Sequence, residues 1–575
     1  MSTQGPQNWK VKAEQKYKQT HALIPEAWKL SPEVTKDLVR PLETSNNNLI
    51  ELDIPRRSGI LTAQELRITE EYDVERLLKA LASGELSALE VTVAFCKRAA
   101  IAQQLVYSAV LEYLGTSCLT EILFQQAQDR ARELDSLREK GQLGGPLHGL
   151  PISLKDSFQV QGTDATLGFV AYLDHGPSQE NSCLVDVLLK QGAVLYCKTN
   201  TPQTLMTADS HNNVFGRTLN PWNTSLTPGG SSGGEGALVA FRGSPIGVGT
   251  DVAGSIRIPS LCCGLYGFKP TAARVPYGKQ APLGNPGLRT IQASAGPLTN
   301  DFKAMAIFMK AVLDARPAQF DSAAIDIPWR PVEGLKGQLR FGVLAEDPIF
   351  PLHPPVKKAL ADAASLLQKA GHEIVPLKAT DGLVAPSYDV ATQLWSLDRT
   401  SAATVLKGGE PFIPSIVTGR NAIRQIKFDR SIVQDTRSIE EALERLALLN
   451  VKRSEIQETW RELWEHHQLD AVIAPGSQTT AVEHDQYGPA PYTSIVNFLD
   501  YPAASLPFGR ATKSHLSGSL EVPPGSFAAP YNPENLEGAP LSIQVFTTRM
   551  RDEECMAIAK VVDTCLNTQG LNIIA

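Results

Sequence analysis

Nine of the chain's 43 glycines fall between Gly229 and Gly254. Glycine loses more backbone entropy on folding than any other residue, so such crowding is retained where main chain must approach something closely. This stretch therefore demands a scaffold built by other segments. Around it, short β-type runs (Leu150 to Leu154, Ala193 to Cys197, Pro245 to Gly249) alternate with helical patterns such as Cys183 to Gln191. The alternation predicts an α/β unit with a largely buried sheet over residues 144–274.

The flanks are read as follows. Residues 1–70 are polar and Pro-containing and are expected to form an N-terminal arm packing on the body. Residues 71–575 are expected to be a single domain, with its core at 144–275, a helical insertion region at about 300–468, and C-terminal strands and a helix at 469–575. Apolar spacing predicts two short helices between Val74 and Leu105, broken at Gly84, and a longer one over Thr120 to Lys140. Further helices are predicted over Thr299 to Ala315 with Thr299 as N-cap, Val356 to Ala370, Ser438 to Gln468 and Asp552 to Cys565. Leu469 to Ala474 and Pro540 to Phe546 read as strands.

Composition narrows the function. Lys plus Arg number 54 against 61 Asp plus Glu, a formal charge of −7, with no basic cluster to track a phosphate backbone; nucleic acid is not an expected partner. The eight cysteines include no CxxC pair and read as reduced, buried thiols. Met1 to Gln15 has no apolar core of a signal peptide, and no window approaches the length of a membrane span, so a soluble, cytoplasmic protein is expected.

Three chemistries compete for Thr227 to Thr271. A phosphate-cradling loop wants Lys after its last glycine, but Gly229-Gly230-Ser231-Ser232-Gly233-Gly234 is followed by Glu235, which would repel a triphosphate. The G-x-S-x-G form of a Ser-His-Asp α/β-hydrolase is satisfied by Gly229 to Gly233, yet that motif needs a preceding apolar strand and finds the Pro-bounded loop Pro221 to Pro228. Its late histidine would have to be one such as His484 or His515.

The third reading is a resemblance. Gly229 to Gly234, then Gly249-Thr250-Asp251-Val252-Ala253-Gly254-Ser255-Ile256-Arg257, then Cys263 to Thr271, resemble the amidase signature family. So do His148-Gly149-Leu150-Pro151 and Leu154-Lys155-Asp156 upstream, Lys198 to Gln203 with Phe215 to Thr218 between, and Asn497 to Pro507 and Gly538 to Gln544 downstream. Coverage runs over roughly residues 75–565, and the arm, Trp28 after Ile24-Pro25-Glu26-Ala27, and the stretch Gly145 to Asp174 look most like the fungal acetamidase or general amidase branch, which also resembles the fatty acid amide hydrolases.

The resemblance implies a central mixed, twisted β-sheet covered by helices on both faces. It implies hydrolysis of a neutral small-molecule carboxylic amide through an acyl-enzyme, with no metal or organic cofactor. By position Ser255 is the nucleophile, Ser231 the bridging serine in a cis peptide with Gly230, and Lys155 the base. The same placement makes Val252, Ala253, Gly254 and Ser255 the source of backbone donors to the oxyanion, and puts Leu205, Met206 and Thr207 against the substrate. Ala253 and Ala273 stand where the family pattern differs; a positive φ at 253 would cost an alanine energy that it does not cost glycine. Amidotransferase subunits, which work in multisubunit complexes, are an alternative within the family. The oligomeric state stays open, a homodimer included.

The residue chemistry fits this reading. Serine is a poor nucleophile until a base takes its proton, and only about 0.04% of an exposed Lys is neutral at pH 7. Lys155 follows the apolar Pro151-Ile152-Ser153-Leu154, so a buried strand end would supply the desolvation that neutralises it. Asp251 and Arg257 are expected to support the site by hydrogen bonding, and Cys262 and Cys263 to be core thiols.

Overall fold

The computed structural model describes residues 8–105, 118–332, 335 and 337–567. Among these residues there are thirteen strands, in chain order β1 (Leu119–Ile122), β2 (Pro151–Lys155), β3 (Val194–Thr199), β4 (His211–Asn212), β5 (Gly216–Arg217), β6 (Ile246–Asp251), β7 (Tyr266–Lys269), β8 (Ser294–Thr299), β9 (Arg340–Leu344), β10 (Glu373–Leu377), β11 (Ala471–Pro475), β12 (Ala503–Arg510) and β13 (Pro540–Phe546). Strands β4 and β5 form a hairpin; the other eleven form one mixed sheet in the order β1-β3-β2-β6-β8-β7-β12-β13-β11-β9-β10. The expected α/β fold is found.

The sheet puts the chemistry at its middle. Strands β3, β2 and β6 run parallel, with Ser153 opposite Gly247 and Leu154 opposite Val248. Every residue of β2 and β6 is buried, as expected of parallel strands covered on both faces. Their carboxyl ends, Lys155 and Asp251, therefore emerge side by side, the edge at which α/β sheets build their sites. The all-buried helix Gly233–Ala240 packs against these strands, and the helix Pro491–Leu499 closes over the turn that follows β6.

The predicted helices are present with informative differences. Gly84, at φ 80°, ends the helix Val74–Ser83, and Ala88–Leu105 follows. The predicted helix from Thr120 begins only at Phe124, because Leu119–Ile122 is drawn into the sheet, where Glu121 stands opposite Lys198. Thr299 is not the N-cap of the next helix. It ends β8, and Asp301 caps Phe302–Asp314 by accepting from Lys303 N–H at 3.0 Å. The 26-residue helix Ala442–His467 lies within the predicted Ser438 to Gln468.

The first seven residues of the arm lie outside the described residues. From the remainder Ile24, Leu38, Leu42 and Leu49 enter the same apolar core as Ile152, Val194 and Val248. Seven of the eight cysteines are buried and Cys565 is half-buried; none is in a disulfide. No helix among the described residues is long and apolar enough to cross a membrane.

Candidate active site

Lys155 is fully buried at the end of β2, and its Nζ lies 2.7 Å from Ser231 Oγ and 2.8 Å from Thr250 Oγ1. Burial lowers its pKa from 10.5 to about 7, against the opposing pull of Asp251, Glu235 and Asp156. About half of such a lysine is neutral at pH 7. Glu235 adds little to that pull at pH 7, because burial drives its own carboxyl up to about 8. Its oxygens accept from Ser153 Oγ at 2.5 Å and Thr199 Oγ1 at 2.8 Å. Asp156 accepts from Thr120, from both the hydroxyl and N–H of Thr166, and from Leu167 N–H, which pins the chain just beyond the lysine.

Ser231 comes from the turn before the helix Gly233–Ala240, and the Gly230–Ser231 peptide is cis. Only glycine fits at 230: a Cβ there would stand 2.5 Å from the Thr207 carbonyl oxygen. The Ser231–Ser232 turn lies along the chain leaving β6, because Ser232 N–H donates to the Ser255 carbonyl at 3.2 Å. Ser255 Oγ has no hydrogen-bond partner among the described residues, the Ser231 hydroxyl included. Ser255 is 8% exposed, and its hydroxyl is not among the atoms sealed from solvent.

The turn from Asp251 to Arg257 is rigidly organised. The Asp251 carboxylate accepts from Gly254 N–H at 2.7 Å and Ile256 N–H at 3.1 Å, and faces the Arg257 guanidinium at 3.0 and 3.1 Å. Burial, the largest influence, pushes Asp251 up, but Arg257, with Lys269 and Asn497, outweighs it and holds the carboxyl at about 2. Arg257 also donates to Gln544 Oε1, the Thr493 carbonyl and Asn497 Oδ1. Thr493 Oγ1 in turn donates to the Ala253 carbonyl at 2.6 Å.

The positive φ of this turn falls on Gly254, at 123°, and Ala253 avoids the left-handed region; of the two alanines only Ala273, at 65°, enters it. Gly254 N–H is engaged by Asp251. Of the four residues expected to offer oxyanion donors, Val252, Ala253 and Ser255 are the ones whose N–H groups meet no acceptor among the described residues. Arg257 opens a helix, Arg257–Cys263, whose N-cap is Ile256.

The remaining predicted residues divide. Thr207 is brought to the site through its carbonyl beside Gly230, Leu205 is buried, and the Met206 side chain is 44% exposed. No histidine among the described residues bonds either serine. His484 approaches Asp209 but uses Nε2 on the Thr224 carbonyl at 3.0 Å, and His515 bonds Thr512. The Ser-His-Asp alternative therefore has no imidazole to work with here.

A family model described as Amidase matches residues 90–556, and an amidase of Gibberella moniliformis is 38% identical over 96% of this chain and 98% of its own. The chain belongs to the amidase family. It is an amide-hydrolysing enzyme. The acetamidase of Emericella nidulans is 37% identical over 98% of this chain and 99% of its own. Among solved structures, a fatty acid amide hydrolase superposes with a TM-score of 0.83 at 27% identity, covering 98% of this chain and 95% of that one.

Sequence reasoning missed several residues of this amidase site. In the sequence Thr250 stands only as part of a motif, yet it is the second partner of Lys155. What brings the two together is the parallel pairing of β2 with β6, which sets the ends of the two strands side by side. Asn497 and Gln544 likewise lay inside recognised stretches but carried no assigned role; they complete the shell around Arg257.

Proposed function

We propose that this amidase cleaves neutral small-molecule amides through an acyl-enzyme, with Ser255 as nucleophile, Ser231 as proton relay and Lys155 as base. The observation that carries the reading is the buried Lys155 Nζ, 2.7 Å from Ser231 Oγ, with its pKa drawn down to about 7. A hydroxyl donates and accepts at once, so Ser231 passes a proton to Lys155 while taking one from Ser255. Ser255 Oγ then bonds the amide carbon. The oxygen of the tetrahedral intermediate takes its negative charge toward the open N–H groups of Val252, Ala253 and Ser255, each such donor being worth about 3 kcal/mol. Lys155 and Ser231 return the proton to nitrogen, the amine departs, and water repeats the sequence on the ester. No step calls for a metal or organic cofactor.

A fluorophosphonate is expected to modify Ser255 and leave Ser231 untouched, because the open backbone donors converge on the former. Mass mapping of the labelled peptide decides this, and a modified Ser231 with intact Ser255 overturns the assignment.

The pH dependence follows from the lowered pKa. Protonated Lys155 cannot accept, so kcat/KM should climb as pH rises through about 7 and level off above it. An initial-rate profile between about pH 5 and 9 that stayed flat would remove Lys155 from the role of base.

A further inference from the structure

The loop leading to Leu205–Thr207 is strained. Thr204 has φ 72° and Leu205 φ 59°, two successive non-glycine residues in the left-handed region. L-residues adopt that conformation only when their surroundings impose it.

What surrounds this loop comes from about 200 residues away in sequence, in the segment after the helix Thr400–Gly408. Glu410, 5% exposed, accepts from Gln203 Nε2 at 2.7 Å and Asn213 Nδ2 at 2.8 Å through one oxygen, and from Val170 N–H at 2.7 Å through the other. Among the described residues it has no cationic partner, so amide donors alone stabilise it. The Pro411 carbonyl accepts from Gln203 at 3.0 Å and Asn213 at 2.8 Å. Ile413 N–H donates to Gln203 Oε1 at 3.2 Å, and Ser415 Oγ donates to Thr207 Oγ1 at 3.2 Å. Leu205 is packed with Val405, Tyr172 and Phe412. Gln203 is thus held by every polar atom of its side chain immediately before the strained pair, and Thr207 is held just after it.

We propose that Glu410 is a positioning residue for substrate binding: with Pro411, Ile413 and Ser415 it clamps Gln203 and Thr207, and so imposes the conformation in which Leu205–Thr207 meet the amide substrate. The inference rests on the proposed site in one respect, that Leu205–Thr207 face the substrate. Neither Glu410 nor Gln203 touches the reacting atoms. Loss of the clamp should therefore weaken binding in ground and transition states alike, leaving the Lys155–Ser231 pair as it is.

The test is Glu410→Gln, which keeps the volume but sets an amide donor against amide donors. KM for a simple amide should rise about 10-fold or more, while kcat and the rate of Ser255 labelling by a small fluorophosphonate stay within about 2-fold of wild type. Glu410→Asp, which keeps an ionised acceptor for the same donors, should raise KM less than Glu410→Gln does. Should Glu410→Gln fail to fold, Ser415→Ala removes one bond of the clamp and should raise KM about 2-fold. An unchanged KM in a folded variant overturns the proposal, as does a fall in kcat and labelling that matches the change in KM. Failure of wild-type Ser255 to label would instead strike at the nucleophile assignment and leave the KM comparison readable.

Discussion

Replacing Lys155 by Ala is expected to lower kcat/KM for an amide by about 10²- to 10⁴-fold, and for an activated ester with the same acyl group by at least about 10-fold less. The asymmetry lies in the leaving group. An amide cannot expel an amine anion, so the proton taken from Ser255 has to reach nitrogen before the bond breaks. In the proposed mechanism Lys155 and Ser231 perform both transfers. An activated ester releases a stable anion and needs only the first. Parallel kinetics on the matched pair check this, with a circular dichroism melt as control, because Lys155 also anchors the Ser231 turn and Thr250. Equal losses on both substrates would confine Lys155 to activating the nucleophile.

The parts of this fold that were legible in the sequence are those whose environment is uniform. Strands β2, β3 and β6 are buried on both faces, so their apolar runs needed no periodicity to be seen. Thr120 to Ile122 reads as the start of a helix because Glu121 looks like a helix-start charge; in the fold that carboxylate sits in a strand, 2.5 Å from Lys16 of the arm. Thr299 and Asp301 are both good capping residues, and only the hydrogen bonds of β8 decide between them. At the site, Lys155, Ser231, Ser255, Asp251 and Arg257 were legible because each lies in a dense local motif. Asn497 and Gln544 act on Arg257 from more than 200 residues away, and Glu410 acts on Gln203 over a similar distance. Nothing in the sequence near either partner announces such a pairing. The engagement of Gly254 N–H by Asp251 was hidden for another reason: it depends on which way one carboxylate turns.

Arg257→Met should be the most damaging single change in the turn that carries Ser255, lowering stability by about 3–5 kcal/mol, and its pH dependence distinguishes the cause from lost packing. Arg257 is fully buried and pairs with an equally buried Asp251, so its removal strands a carboxylate away from water. In the wild type the guanidinium holds Asp251 at about 2, below its ordinary 3.8, so this pair's contribution is complete above pH 3.8 and is lost only as pH falls through about 2. In the variant burial acts unopposed by Arg257 and raises the carboxyl above its ordinary value. The stranded charge then costs most at high pH and is relieved by protonation as pH falls. The gap in melting temperature between variant and wild type should therefore be widest near pH 8 and narrower near pH 5. Asp251→Asn in the Arg257→Met background should close much of the gap at pH 8, since a neutral amide needs no counter-ion. Activity should not return with stability. The carboxylate orients the turn through Gly254 and Ile256 N–H, and a displacement of about 1 Å in positioned groups can cost about 10²-fold in rate. A gap independent of pH would assign Arg257 to packing alone and leave the order of the Val252–Ser255 turn to Thr493 and Asn497, which also bond it at the carbonyls of Ala253 and Asp251.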